Sequence, residues 1–449
     1  MKLVVTRLMV AAAMICFTAV ASLSIAGFNG GGGNRVGGVS IDAAGVVRGA
    51  TVQENQELRN LLRNEVTVPE GDLSDAAELR MISLSGIQKA IVDVRASGAR
   101  LPAEIRYLAG LTGIEYVLVD KDNNDLILAG PAEPWQLSET GSIVGTISGS
   151  AILRLEDLVV ALRNVENSRR EGISCSIEPT ADGLKRLAAF QGKIRLRPGQ
   201  NPQLFEEGMK QAFGPQVIRL TGVPSTSRFA CTLVAADYQM KRLAMDLEES
   251  PIKQLPSYLQ MSRNASHTGN LNPRWWMECS YEGLSRNQDA TVWKLTGQGV
   301  KTLTEQDSIG DDGTTTSTAI RDKNAERWAS KMTDSFEALA KEMPIFGDLQ
   351  NLMDLSVVST LIVQERLENR AGLDLVVLRD SGSLSPPEFD TPQTVSPECS
   401  FIKGRGGWVV AASGGVLINP FQVVHDQTVD PSLRMDASAR TDRWYWDHQ

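Results

Sequence analysis

Apolar positions change their period several times along the chain, and each period predicts an element. Leu84, Ile87, Ile91 and Val94 recur every three or four residues, which predicts a helix over Leu84–Ala96 that Gly98 would end. Ile114–Asp120 and Asp125–Ala129 alternate instead, and the residues between them read as the turn of a hairpin. Val39–Arg48 reads as a strand pair around Asp42–Gly45, Gln53–Asn64 as a helix, and Ile143–Ile147 and Ala151–Leu155 as short strands. A helix over Asp157–Val165 and a strand over Ile173–Ile177 follow. Thr180 then caps a helix running to Phe190, Asn201-Pro202 opens one that Gly214 ends, and Gln216–Thr221 is a strand.

The strongest helical pattern is Ser227–Leu247, where Leu233, Met240, Ala244 and Leu247 share a face. Arg274–Tyr281, Thr291–Thr296 and Gly299–Thr304 read as strands, the last two joined at Gly297-Gln298, and Asp307–Thr318 reads as a polar loop. Two long helices, Asn324–Glu342 and Ile345–Glu368, meet at Pro344, and a strand over Leu373–Leu378 comes next. Prolines 386, 387, 392 and 397 make Ser381–Pro397 a linker or an extended surface arm. Trp408–Ala412 and Val416–Ile418 read as a hairpin across Gly414-Gly415. Short strands and hairpins interleaved with helices predict an α+β fold, not a parallel doubly wound sheet. The expected divisions are a signal segment 1–26, a Gly-rich leader 27–38, an N-terminal α+β region 39–155, a main α+β domain 156–380, a Pro-rich linker 381–398, a small hairpin 399–420 and a tail 421–449.

The first 26 residues predict where the protein goes. Lys2 and Arg7 precede the apolar run Leu8–Val20, and small residues follow at Ala19-Val20-Ala21 and Ser24-Ile25-Ala26. Charged, apolar and small in that order is the pattern of a secretory signal peptide, and the run is short for a membrane span. The expected location is the periplasm or cell surface, with no membrane span once the signal is removed. The chain has 45 basic and 54 acidic residues, a net charge of −9, which becomes −11 without Lys2 and Arg7. With no run of five basic residues, nucleic acid and anionic membranes are poor partners.

Few chemistries survive a search for motifs. Three histidines, His267, His425 and His448, argue against a multi-histidine metal enzyme, and no Cys-x-x-Cys pair marks a zinc site. Neither Gly-x-Ser-x-Gly nor His-Glu-x-x-His occurs. The glycines at 30–33 lack the Lys-Ser/Thr of a phosphate loop, and Asp120, Asp122 and Asn124 lack the glycine of a calcium loop. No metal and no cofactor is expected. Export leaves Cys175, Cys231, Cys279 and Cys399, enough for two disulfides in three connectivities. The competing reading buries Cys175 and Cys279 as small hydrophobes, because each alternates with apolar neighbours along a strand.

Two places are candidates for ligand contact, and the catalytic residues are unknown. At Gly222–Arg228 the hydroxyls of Ser225, Thr226 and Ser227 precede a helix, where free backbone N–H groups and Arg228 could hold an anion. Plain N-capping explains the same hydroxyls. On that helix Asp237, Tyr238 and Lys241 are candidates for ligand contact as well, and Asp237 and Lys241, four residues apart, also read as an ordinary surface pair. Arg274-Trp275-Trp276 could stack on a sugar or peptide, or one tryptophan could enter the core while the other faces out.

Several longer motifs are similar to those of a known family. They include VSIDAAGVVR at Val39–Arg48, Arg106–Leu111, IEYVLVD, LILAGPAEPW, GISCSIEPT, GVPSTSRFA, LVAADYQMKRLAMDLE, RWWMECSYE and GGVLINP. From about Gly37 to Pro420 the chain resembles an exported family of planctomycete bacteria that is catalogued only as a domain of unknown function. The resemblance implies origin and export, and it carries no activity, cofactor or catalytic residue. The expected function is a non-catalytic binding or scaffold module of the bacterial cell envelope, its partner an envelope protein or glycan. The alternative is an envelope hydrolase whose site is assembled from distant residues. Mass spectrometry of the exported protein should find an N-terminus near Ser22 or Gly27, and an intact Met1 would refute export.

Overall fold

The computed structural model describes residues 23–24, 34–63, 66–194, 202–262, 271–309, 315–317, 322–398, 402–404, 407–409, 413–435 and 443–448. The expected signal segment apart from Leu23–Ser24, the glycines at 30–33, His267 and Cys399 lie outside them. The class is α+β, as the alternation of periods predicts.

A ten-stranded sheet forms one side. Its order is Thr315–Ser317, Gly299–Ile309, Leu271–Ser280, Ser413–Ile418, Ile173–Glu178, Gln216–Thr221, Thr394–Val395, Val46–Gly49, Val39–Ile41 and Asn34–Val36. Neighbours run antiparallel except Leu271–Ser280 beside Ser413–Ile418 and Thr394–Val395 beside Val46–Gly49. A seven-stranded sheet forms the other side, in the order Gln427–Val429, Leu284–Arg286, Val292–Leu295, Tyr116–Asp120, Asp125–Ala132, Ala77–Ser83 and Tyr445–Asp447. Sheet membership runs across the compositional segments: the ten-stranded sheet takes strands from 34–49, 173–221, 271–317, 394–395 and 413–418.

Helices fill the space between. Arg228–Ala244 packs on strands Ile173–Glu178 and Ser413–Ile418. Pro344–Gln364 packs on that helix and on Leu155–Arg163, and its continuation Leu367–Ala371 rests on the seven-stranded sheet. Pro344–Gln364 is buried on nearly every face, which is why its sequence shows little amphipathic contrast. The expected long helices are each interrupted. Asn324–Glu342 divides at Ser335 into Lys323–Asp334 and Phe336–Glu342, and the second turns at Arg366, which takes a left-handed φ of 52°. Among the described residues no helix is long and apolar enough to cross a membrane.

Five local expectations are corrected. Val292–Leu295 and Gly299–Ile309 do not pair across Gly297-Gln298, since they belong to different sheets. The longer ladder wins, because Gly299–Ile309 pairs along the whole of Leu271–Ser280. That strand also runs on through the start of the expected polar loop, and Thr315–Ser317 pairs back on it. Ala151–Leu155 is no strand: Ala151 makes a lone bridge to Val144, and Leu155 already begins a helix. Leu373–Leu378 ends in a helical turn, Val376–Arg379. Side chains take its backbone groups first, with Gln88 accepting from Val377 N at 2.9 Å and donating to Asp374 O at 2.9 Å, and Glu368 accepting from Leu375 N at 3.1 Å.

The fifth correction concerns Gly414-Gly415. These residues are no turn. They lie inside Ser413–Ile418, and the expected partner strand pairs elsewhere, Gly407–Val409 with Ile402–Gly404. A Cβ on Gly414 would stand 1.8 Å from Trp275 O, and one on Gly415 1.8 Å from Cys175 O. Glycine here admits close backbone approach from both neighbouring strands.

Trp275 and Trp276 separate as alternation requires. Trp275 is fully buried, 5.1 Å from the Tyr258 ring and 4.7 Å from Trp328, while Trp276 is half-buried on the other sheet face. Replacing Trp275 by Ala should cost about 3–5 kcal/mol in urea denaturation. The same change at Trp276 should cost about 1 kcal/mol. Equal large losses would show that both are core.

Candidate functional site

The sequence candidates fall into separate environments. Ser227 caps the helix Arg228–Ala244, its hydroxyl accepting from Ala230 N at 3.1 Å. The Arg228 side chain turns inward and is only 5% exposed. Its guanidinium bonds Asp157 Oδ2, meets Asp348 Oδ1 at 2.8 Å and lies 3.8 Å from Glu156 Oε1. Arg154 joins the group at 3.4 Å from Glu156. An arginine enclosed by three carboxylates has no open side for an anion, so N-capping accounts for the hydroxyls. Burial raises the Asp157 carboxyl to about 7 against the attraction of Arg228. Arg228 stays protonated: burial opposes its charge, but Asp157, Asp348 and Glu156 hold it.

Asp237 and Lys241 are not a surface pair. Both are buried, because this face of the helix lies on the ten-stranded sheet. Lys241 Nζ donates to Asp237 Oδ2 at 2.9 Å, to Ile177 O at 2.9 Å and to Gly414 O at 3.2 Å. The ammonium thus ties the helix to two adjacent strands. Burial outweighs it at Asp237 and raises that carboxyl to about 7. Tyr238 accepts from Gly49 N at 3.0 Å and donates to Glu398 Oε1 at 2.8 Å. Arg274 pairs with Glu178 at 3.0 Å and lies over the Trp276 ring at 4.9 Å. Cys175, Cys231 and Cys279 are free thiols, each raised by burial, Cys231 and Cys279 to about 12.

Polar side chains do converge elsewhere. A cleft of about 460 Å³ opens where the chain crosses between the two sheets. Tyr281, after strand Leu271–Ser280, and Thr296-Gly297, before Gly299–Ile309, are the two crossings, and Glu282 N donates to Thr296 O at 2.8 Å between them. Helix Phe336–Glu342 contributes Glu337 and Lys341, helix Pro344–Gln364 contributes Gly347, Gln350 and Asp354, and Glu115 and Lys294 come from the seven-stranded side. Asp354 Oδ1 accepts from Tyr281 Oη at 2.6 Å, and Oδ2 accepts from Ile114 N at 3.1 Å. Burial raises the Asp354 carboxyl to about 6 against these two hydrogen bonds, and Glu115 pushes it the same way. Burial and then Asp354 raise Tyr281 far above an ordinary phenol.

None of Arg228, Asp237, Tyr238, Lys241, Arg274, Trp275 and Trp276 lines this cleft. Sequence reasoning missed the cleft because its residues come from separated stretches; IEYVLVD, LILAGPAEPW and RWWMECSYE hold Ile114, Glu115, Pro131 and Tyr281, but nothing in them marks a site. Asp354 carried a local signal, a carboxylate between Leu352-Met353 and Leu355.

Part of the chain matches a known family. Residues 175–258 match the family described as Protein of unknown function (DUF1598). The chain matches no curated protein and no solved structure. The DUF1598 segment contains Lys241 and Tyr238, which tie the helix Arg228–Ala244 to strands of its sheet, and Arg228, which ties it to two other helices. Every residue lining the cleft lies outside it.

Asp157, Asp237 and Asp354 all bind a proton more tightly folded than unfolded. A raised carboxyl contributes stability below its unfolded value, near 3.8, and loses it as pH rises through its folded value, about 6 to 7. Glu54, held at about 2 by Arg48, acts in the opposite direction, but only in acid below its usual 4.5. Urea denaturation should therefore find lower stability at pH 8 than at pH 5, by about 2 kcal/mol or more, since each tenfold change in proton affinity is worth about 1.4 kcal/mol. Asp354→Asn should flatten part of that slope; stability rising from pH 5 to pH 8 would contradict it.

Proposed function

We propose that this protein is an exported, non-catalytic binding module of the bacterial cell envelope, and that its ligand site is the cleft between the two sheets. The observation that carries the reading is the convergence there of Glu115, Lys294, Glu337, Lys341 and Gln350 around a floor formed by Asp354 and Tyr281. Concave sites with a few convergent polar groups at the junction of two layers are where small ligands bind. Export rests on the signal pattern of residues 1–26.

A hydrolytic reading has one observation in its favour. A buried carboxyl near 6 at the floor of a cleft has the proton affinity of a general base. Against it, both oxygens of Asp354 already accept hydrogen bonds from the protein, and no histidine or cysteine lines the cleft. Binding is therefore the better-supported role, and Asp354 serves to position Tyr281 and Ile114.

Ligand-observed NMR with a set of amino acids, dipeptides and monosaccharides tests this reading. Thr296 is exposed at the rim, so Thr296→Trp should fill the cleft and abolish binding, with an unfolding midpoint within about 2 °C of the parent. Binding that survives the tryptophan, or no binding to the parent, would refute the cleft as the site. Turnover of a bound compound that Asp354→Asn stops would establish the hydrolase instead.

A further inference from the structure

The walls of the cleft bear charges of both signs that have not paired with one another. With Asp354 committed to Tyr281 and Ile114, four ionisable side chains remain on the lining: Glu115, Glu337, Lys294 and Lys341. Two are acidic and two basic. Among the described residues none of the four side chains makes an ion pair or a hydrogen bond.

Two of these absences are physically informative. Glu337 and Lys341 stand four residues apart on Phe336–Glu342, with the glutamate nearer the N-terminus, the order in which helical ion pairs form best. They do not close on each other. Lys294 lies on a strand whose neighbour begins at Tyr116, next to Glu115, and Leu295 N donates to Glu115 O at 2.8 Å. The ammonium nevertheless rests 5.5 Å from the centre of the Tyr116 ring, not on the Glu115 carboxylate.

Opposite charges that share a concavity without neutralising one another oppose a ligand carrying a single sign, because half of the lining repels it. A ligand carrying both signs meets a partner for each. We propose that the cleft takes a small zwitterion, a molecule with an ammonium and a carboxylate on one short skeleton, of the amino-acid or dipeptide class. This assignment rests on the cleft being the binding site. Lys294 and Lys341 hold the carboxylate, and Glu115 and Glu337 hold the ammonium. Gln350 and the exposed backbone around Thr296-Gly297 border the space between.

The test uses one skeleton with its charges removed in turn. L-Ala-L-Ala, its N-acetyl form and its C-terminal amide are titrated into the full chain by isothermal calorimetry at low salt. The free dipeptide should bind at least about tenfold more tightly than either capped form. The paired variant Lys294→Gln with Lys341→Gln should erase the advantage over the amide. Glu115→Gln with Glu337→Gln should erase the advantage over the acetylated form. Glu115, Glu337 and Lys341 are exposed and Lys294 is half-exposed, so unfolding midpoints should not move. Equal binding of all three compounds, or binding of none, overturns the zwitterion. If a neutral monosaccharide then binds the parent and not Thr296→Trp, the cleft stands as a site for another class. If Thr296→Trp changes no binding at all, both readings fall.

Discussion

The guanidinium of Arg228 registers three buried helices against one another. It extends from Arg228–Ala244, meets Glu156 and Asp157 on Leu155–Arg163, and reaches Asp348 on Pro344–Gln364. A buried charge is tolerated only with close partners, so these helices cannot slide without leaving ions unpaired in a medium that stabilises them poorly. From that point the constraint spreads both ways. Lys241 carries it to the ten-stranded sheet through Ile177 and Gly414. Asp354, six residues beyond Asp348 on the same helix, carries it to the seven-stranded side through Ile114 and to the crossing at Tyr281. The floor of the cleft therefore sits on the last link of a chain of buried polar contacts that begins at Arg228.

Buried ion groups of this kind are weak sources of net stability, since the cost of leaving water is comparable to the attraction gained. Their effect here is on arrangement. Apolar packing alone would allow Pro344–Gln364, apolar on almost every face, many rotations about its axis. Asp348 and Asp354, six residues and so about 120° apart around it, reach different partners and select one. On this helix the burial that the rotation imposes raises the Asp354 carboxyl. The same burial raises the thiols of Cys175, Cys231 and Cys279 above the ordinary value, which disfavours their thiolate forms.

The match to the DUF1598 family and the cleft occupy different parts of the chain. The matched residues build the joint between helix and sheet, through Lys241, Asp237 and the cap at Ser227. Charged residues on such a joint resemble site residues in sequence, because they interrupt apolar patterns. In the fold they are consumed by internal partners. Among the described residues, the charged ones left without an ion pair around the cleft are commonplace, Glu337 and Lys341 on a short helix, Glu115 just before a strand and Lys294 within one.

Local sequence alone determined the mixed class, most element positions and their caps: Thr180 and Ser227 do accept the hydrogen bonds expected of them, Gly98 does end its helix at φ 69°, and Trp275 and Trp276 do face opposite sides. These features depend on residues within a turn or two of each other, so period and side-chain chemistry suffice. What pairs with what was settled only in the tertiary structure. The two glycines at 414 and 415 look like a turn until two strands close over them, and Thr394–Val395 looks like linker until it joins two strands, antiparallel to Gln216–Thr221 and parallel to Val46–Gly49. Whether Asp237 and Lys241 face water or a sheet depends on what covers the helix, which no spacing along the helix records. The cleft is the extreme case. Its lining comes from stretches over 200 residues apart, between Thr112 and Asp354, which no local pattern connects.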